Sequence, residues 1–367
     1  MNLIDHTYKQ SIKAKAKELG FIACGFAKYE VLESESEKLR EWLDAGKQAD
    51  MAWIERGFEK RKDVRQIMPE AQSVISLAFN YYTPFEHDES KPKISRYAWG
   101  KDYHKILKKK LKELCEYIVL TSPPSPLLKG EGGNDSEIMD RAKSLNETSH
   151  PTPLQNEIGG ILLKSYVDDG PVMDKVWAQR AGIGWMGKHT NIINPEYGSW
   201  FFLCEIITNI DFGIYDTPIE DMCGSCTLCI SACPTGAITS EYSVDANKCI
   251  SYQTIENRGD IPENLNLDGW IFGCDVCQDV CPFNSPKYNH VTVEEGFWPK
   301  LITSPPTPLL KGEGGNSSEL IEQPINDLSK EHLLLLTEEQ FAEVFADSPI
   351  KRTKYAGWKR NLGRIDK

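Results

Sequence analysis

An α+β chain in three parts is what the sequence predicts: an N-terminal α/β domain over 1–212, a small cysteine-rich domain over 213–295, and a short helical C-terminal segment over 296–367. Three observations lead there. Through the first 210 residues, β-branched and aromatic runs alternate with amphipathic ones, as strands and helices do when they share a core. Eight of the eleven cysteines then fall between Cys223 and Cys281. After them the chain closes on a basic stretch, Lys351 to Arg364, with aromatic residues set among its cations.

Length and charge set the outer bounds. At 367 residues there is room for two or three domains of about 100 to 200 residues each. No apolar run of about 18 residues suggests a membrane span, and MNLIDHTYKQ lacks the apolar centre of a secretory signal, so a cytoplasmic protein is expected. The net charge of −12 argues against nucleic-acid binding through overall charge but leaves room for a local basic face. Lys105 to Lys112 carries leucines at helical spacing and reads first as a solvated helix face. Lys351 to Arg364 interleaves aromatics with six cations, which suits stacking and phosphate contact as well as it suits ordinary structure.

Residues 8–20 have apolar positions at helical intervals and stop at Gly20, and FIACGFA (21–27) reads as a short buried strand with Cys24 in the core. Residues 34–56 read as two helical pieces around Gly46, followed by a charged segment that Pro69 ends. SVISLAFNYY (73–82) is a strand with a turn signal at Pro84. RYAWGKDYH then loops into a helix that runs to residue 120, and its aromatic and polar groups suit either a flat, polar-edged ligand or simple packing.

A 13-residue sequence, Thr121 to Gly133, recurs with one change as Thr303 to Gly315. Copies so far apart do not build a solenoid. Both are rich in Pro and Gly and run into polar tracts, so 121–160 and 303–323 are expected to be disordered surface insertions. The fold resumes with a strand ending at Val167, a turn through Asp168, Asp169, Gly170 and Pro171, a helix stopping at Gly182, and a strand in FFLCEIITNI. Asp168 reads either as an acid at a helix start or as a carboxylic acid at a strand end facing a cofactor cavity.

The cysteines carry the chemistry. Cys223, Cys226, Cys229 and Cys233-Pro234 form one motif, Cys249 stands alone, and Cys274, Cys277 and Cys281-Pro282 close the series. In two-cluster ferredoxins, three thiolates at two-residue gaps surround one 4Fe-4S cube, and the fourth, before proline, reaches the neighbouring cluster. The same logic gives Cys223, Cys226, Cys229 and Cys281 to the first cluster, and Cys274, Cys277, Cys233 and Cys249 to the second. Structural zinc explains neither the extra cysteine nor the Cys-Pro ending, and disulfides need an oxidising compartment.

The segments VDDGPVMDKVWAQRAGIGWMGKHT, GSWFFLCEI, CGSCTLCISACPTGAI, KCISYQTIE and GCDVCQDVCPFN together resemble epoxyqueuosine reductase. SLAFNYY, ISRYAWGKDYHKILKKKL and SPIKRTKYAGWKRNLGRI are similar to the same family. The resemblance implies a cytoplasmic, monomeric oxidoreductase with base-off cobalamin in a reductive-dehalogenase-like N-terminal domain beside two 4Fe-4S clusters. It would reduce epoxyqueuosine in the anticodon loop of tRNA to queuosine, drawing on a low-potential electron donor.

By its place in the Val-Asp-x-x-Pro motif, Asp168 takes the role of proton donor. Asp169 departs from the small neutral residue that many relatives carry there. The resemblance points for corrin contacts to Gly187, Lys188, His189 and Thr190, and to Arg96, Tyr97, Lys101, Asp102, Tyr103 and His104, with no histidine on cobalt. The chain is similar to the shorter form of the family, so tRNA would rest on the catalytic rim and Lys351 to Arg364. The rivals are a corrinoid reductase of another substrate class and a two-cluster electron-transfer protein; the second leaves the N-terminal domain unexplained.

Overall fold

Strands and helices alternate along the chain, yet every pairing in the main sheet is antiparallel. The computed structural model describes residues 6–122, 155–158, 160–303 and 322–365. Its first strands are β1 (Ala23–Lys28), β2 (Ser73–Asn80), β3 (Lys93–Ile94) and β4 (Gln155–Ile158). They are followed by β5 (Ile161–Tyr166), β6 (Trp185–Met186), β7 (Ile192–Ile193) and β8 (Phe201–Thr208). The main sheet has the order β1-β2-β8-β5-β4. An antiparallel sheet packed against helices, with no parallel βαβ pairing, is an α+β architecture.

Side chains alternate across each strand and divide the core in two. Ile75, Leu77 and Phe79 of β2 and Phe202, Cys204 and Ile206 of β8 face the helices His6–Glu18 and Tyr103–Thr121, meeting Ile12, Leu107, Leu111 and Leu114. Val74, Ala78, Phe201 and Ile207 face the other way, onto Trp177 and Ala178 of the helix Asp174–Arg180 and onto Val64 and Met68. Truncating one fully buried leucine such as Leu111 to alanine costs about 2–5 kcal/mol. On the second face Gly25 lets helix and sheet touch, for a Cβ there would stand 1.9 Å from the Ala181 carbonyl oxygen.

Two expected boundaries move. The helix reaches Thr121, and Gln155–Ile158 pairs with β5 as an edge strand, so the expected insertion over 121–160 claims too much at both ends. An edge strand of Gln-Asn-Glu-Ile carries one apolar residue and gives no alternating signal. Likewise Leu301–Thr303 pairs with Glu322–Pro324, which takes 303, 322 and 323 into a two-stranded ribbon. The rest of both insertions, 123–154 and 304–321 with residue 159, lies outside the described residues.

The cysteine-rich part is built of one- or two-turn helices, Leu228–Ala232, Ile250–Ile255 and Val276–Asp279. The C-terminal helices Lys330–Leu335, Glu338–Val344 and Lys354–Leu362 cover it, joining Phe341, Phe345 and Trp358 to Trp99, Ile271 and Phe272 in one apolar cluster. Among the described residues, no helix is long and apolar enough to cross a membrane.

Candidate functional site

Two carboxylates that stand side by side in sequence diverge in space. Asp168 adopts the left-handed backbone conformation, φ +54°, which a non-glycine residue holds at a cost of about 1–3 kcal/mol. The helix behind it starts only at Asp174, so Asp168 does not cap it. Its Oδ2 instead accepts a hydrogen bond of 2.7 Å from the Tyr103 hydroxyl. Asp169 takes other partners, accepting from the Val167 amide and pairing with Lys108 at 2.5 Å.

Tyr103 is itself fixed from both sides. Its ring stacks on Phe202 at 4.2 Å with an 8° tilt, and on His104 at 4.1 Å. Burial, with the Asp168 charge added, raises the phenol well above its ordinary range, so it stays protonated and donates. One residue earlier, buried Asp102 accepts from the Lys351 ammonium at 2.6 Å and from His104 Nδ1 at 2.8 Å. Burial alone would raise the Asp102 carboxyl, but these hydrogen bonds outweigh it and hold the group well below the usual carboxylate range.

Beside this pair opens a cavity of 760 Å³. Its aromatic lining is Trp53, Tyr97 and Tyr103, and Lys108, Arg258, Lys351, Arg352 and Lys354 give it cations; Asp50, Asp102, Asp169 and Glu256 supply the acids. Arg352 is ion-paired with Glu256. Lys354 and Arg258 are exposed at the rim.

None of the eight motif cysteines is in a disulfide, and among the described residues no three His, Cys, Asp or Glu side chains close on a site for a single ion. The second motif is bound to the main sheet through buried polar groups. Asn284 accepts from the Ser199 amide at 2.7 Å and donates to Ser199 Oγ at 2.8 Å, while Gln278 donates to the Ser199 carbonyl at 3.0 Å. Asp275, between Cys274 and Cys277, accepts from Ser95 Oγ at 2.5 Å and from the Arg96 amide at 2.7 Å. Gly273, at φ +71°, makes this approach possible, because a Cβ there would lie 2.4 Å from that of Ser95.

Lys175 stands beside the second motif, sharing a cleft with Gln278. Its ammonium donates to Asn191 Oδ1 at 3.0 Å. The surrounding protein lowers its proton affinity, although the side chain remains open to solvent, and the charges of Asp168 and Cys277 act in the opposite sense. The same space is a cleft of 80 Å³ with Tyr81, Phe201 and Leu203 as apolar walls and Asn191, Ser199 and Gln278 as polar ones. Close by, the Asn191 amide donates to His189 Nδ1 at 3.1 Å, which leaves the proton on Nε2 without a protein partner. Burial and the nearby Lys175 lower this imidazole to about 4, so it is neutral. The amide groups and the unpartnered buried donor suit the amide arms of a ring that is itself far larger than this 80 Å³ cleft.

The expected contacts fall into two groups. Tyr97, Tyr103, Asp102 and His104 line the large cavity. His189 sits in the loop Gly187 to Thr190, which folds back by a bond from the Thr190 amide to the Gly187 carbonyl. Lys188 does not face the cavity: its buried ammonium binds the Gly224 carbonyl and Glu241, both at 2.7 Å, and so braces the Cys223–Cys226 loop. Lys101 is exposed and absent from the lining. Arg96 donates to the Thr83 carbonyl at 2.8 Å and lies over the rings of Tyr82, Trp99 and Trp200.

The basic C-terminal stretch divides as well. Trp358 is fully buried, and Arg360 and Arg364 bind backbone carbonyls, so only its first cations reach the cavity. Lys105, Lys108 and Lys110 each pair with an acid, as a solvated helix face does. Lys175, Asn191, Ser199, Gln278, Glu256 and Arg258 escaped the sequence reading. They come from separate segments, and no local spacing marks them.

Residues 222–284 match the family model described as a 4Fe-4S double cluster binding domain, and residues 61–132 match that described as epoxyqueuosine reductase QueG, DUF1730. The chain is 39% identical to the epoxyqueuosine reductase of Cellulophaga algicola over 353 residues, covering 96% of this chain and 95% of that one. It is 40% identical to that of Leadbetterella byssophila over 360 residues, covering 98% of each. The fold is similar to a crystal structure of epoxyqueuosine reductase with a tRNA-Tyr epoxyqueuosine-modified tRNA stem loop, at a TM-score of 0.70 and 28% identity. That match covers 98% of this chain and 81% of the other.

Proposed function

The chain belongs to the epoxyqueuosine reductase family, and from that premise we propose that it reduces epoxyqueuosine at the wobble position of tRNA to queuosine, with Asp168 as proton donor. The observation that carries the reading is the exposed Asp168 carboxylate, held by a hydrogen bond from Tyr103, which itself lines the cation-rimmed cavity. Removing the epoxide oxygen as water takes two electrons and two protons. An acid must therefore stand within hydrogen-bond reach of the leaving oxygen.

Bound cobalamin would supply a strongly reducing cobalt centre and the 4Fe-4S clusters single electrons from a low-potential donor. Cys223, Cys226, Cys229 and Cys281 would hold one cluster, and Cys233, Cys249, Cys274 and Cys277 the other. Lys175, Asn191 and Gln278 in the cleft beside the second motif, with His189 close by, offer hydrogen bonds to the corrin arms. Tyr103 occupies one Asp168 oxygen and leaves the other free to serve the substrate.

The large cavity takes the anticodon loop. An enzyme that acts on a base draws it out of the stack, and aromatic faces with surrounding cations receive such a nucleotide. Trp53 and Tyr97 provide the faces, and Lys108, Arg258 and Lys354 the cations. The tRNA stem loop held by the related reductase supports this placement. Asp168→Ala is expected to keep iron and corrinoid content and to lose more than about a hundredfold in turnover, the scale for a missing general acid. Turnover near wild type would remove Asp168 from the chemistry.

A further inference from the structure

The first cysteine motif turns outward where the second turns in. Gly273, Asp275 and Gln278, set around Cys274 and Cys277, are buried. Gly224, Ser225, Thr227 and Leu228, which separate Cys223, Cys226 and Cys229, are all exposed. Beside this loop stands a hairpin of Ile238–Ser240 and Ser243–Val244, with Glu241 and Tyr242 at its tip. The Tyr242 amide donates to the Lys188 carbonyl at 3.0 Å, the Lys188 ammonium reaches the Gly224 carbonyl and Glu241, and the Tyr242 hydroxyl donates to Asp221. Loop and hairpin are thereby tied into one surface.

That surface combines exposed apolar groups with acids. Met222 and Leu228 are 50% and 51% exposed. Tyr242 is 43% exposed, and its backbone, at φ +63°, takes a conformation that non-glycine residues avoid. Glu220, Asp221 and Glu241 are exposed among them. Residues 189–247 contain no lysine or arginine in a chain that has 42, so the acidity is local. Cations that enter from other segments are already engaged, Lys188 by Glu241 and Lys47 by Ser243 Oγ at 3.0 Å, while Lys287, beyond Cys281, lies over the ring of Tyr288. A surface of this sign repels phosphate and does not serve tRNA. Apolar groups bordered by charge are instead the anatomy of a protein interface.

We propose that this face docks the electron donor, and that the donor is a small redox protein whose flavin or iron–sulfur group is ringed by lysine or arginine. The proposal rests on the function proposed above, with Cys223, Cys226, Cys229 and Cys281 around the first cluster. Each encounter oxidises the carrier by one electron and reduces that cluster by one, with no bond made and no proton moved. Two encounters supply the two electrons of one epoxide reduction. Complementary charge speeds such encounters about 10- to 1,000-fold without requiring a tight complex. The two macromolecular partners are then sorted by charge: tRNA goes to the cation-rimmed cavity and the basic carrier to the acidic face.

The test uses two stand-in carriers of opposite charge: a basic c-type cytochrome, which takes electrons from the reduced chain, and an acidic plant-type ferredoxin, which gives them. The full chain, reconstituted with iron and sulfide, is reduced in light with a small deazaflavin, and its cluster signals are counted by electron paramagnetic resonance before stopped-flow mixing. Glu220→Lys combined with Met222→Lys is expected to slow the cytochrome reaction about tenfold at low salt and to speed the ferredoxin reaction. Near 1 M salt, where the Debye length is about 3 Å, the difference should vanish. Leu335→Lys combined with Glu338→Lys makes the same change of charge on the C-terminal helices and should alter either rate less than about twofold. Glu220→Lys alone serves if the double variant loses cluster signals. Equal effects of the two double variants, no effect of either, or a difference that survives high salt would overturn the docking face alone. A wild type without cluster signals would overturn the cluster reading and the docking face with it.

Discussion

Tyr103→Phe removes one atom from the site and little else. The ring that stacks on Phe202 and His104 remains, so no cavity opens and the fold loses only what the hydroxyl contributed. What disappears is the 2.7 Å hydrogen bond to Asp168 Oδ2. A hydrogen bond to a charged group is worth about 1.5–3 kcal/mol net, which corresponds to about 10- to 150-fold in rate if it is needed in the transition state. Since Asp168 also sits in a conformation that non-glycine residues avoid, the freed loop has a lower-energy backbone to relax into. The assay is single-turnover conversion of epoxyqueuosine in a tRNA stem loop, followed by nucleoside mass spectrometry, with tRNA affinity measured in parallel. The expected outcome is a loss within that range at unchanged affinity. A rate within about twofold of wild type would refute the claim that Tyr103 positions the acid.

Three further outcomes follow from other parts of the molecule. Cys249→Ala should leave about four of eight irons per chain, because the second cluster loses a ligand; iron content that stays near eight would reassign it. Lys354→Ala should weaken tRNA binding and lower the slope of log K against log salt by about 0.7, the value for one contact to a single strand; an unchanged slope would take the cavity rim out of tRNA recognition. Glu205 has its folded-state proton affinity raised by burial and by Asp174, so the native chain binds more protons than the unfolded one above the ordinary glutamate range. Its contribution is therefore fully present at acidic pH and declines as pH rises toward the folded value. Thermal melts of Glu205→Gln should show less loss of stability than wild type as pH rises above the ordinary glutamate range, and parallel curves would contradict this.

The parts of this protein that were legible in the sequence are those whose chemistry is local. Cysteine spacing is a property of neighbouring residues, and the double-cluster family match at 222–284 falls on the stretch it marked. SVISLAFNYY and FFLCEIITNI announced themselves as strands because both faces of β2 and β8 are covered, which demands nearly continuous apolar residues. Gln155–Ile158 gave no such signal, since a polar edge strand needs only backbone partners. Lys188 was misplaced because spacing puts it in the right loop but cannot show that its long stem reaches Gly224 and Glu241. Trp358, which spacing made a stacking candidate, is held in the core by Phe341 and Phe345. Glu205 was read simply as part of a strand, and only the fold shows its carboxyl buried against Asp174.

The central claim is that Asp168 delivers protons to an epoxide while the cysteine motif and the cleft beside Lys175 support a cobalamin-dependent reduction. It is tested most directly by giving the chain, reconstituted with iron and sulfide and supplied with a low-potential reductant, a tRNA stem loop carrying epoxyqueuosine, with and without cobalamin. The expected result is queuosine in the complete mixture and unchanged epoxyqueuosine when cobalamin is left out. Equal conversion without cobalamin, or none with it, would contradict the account.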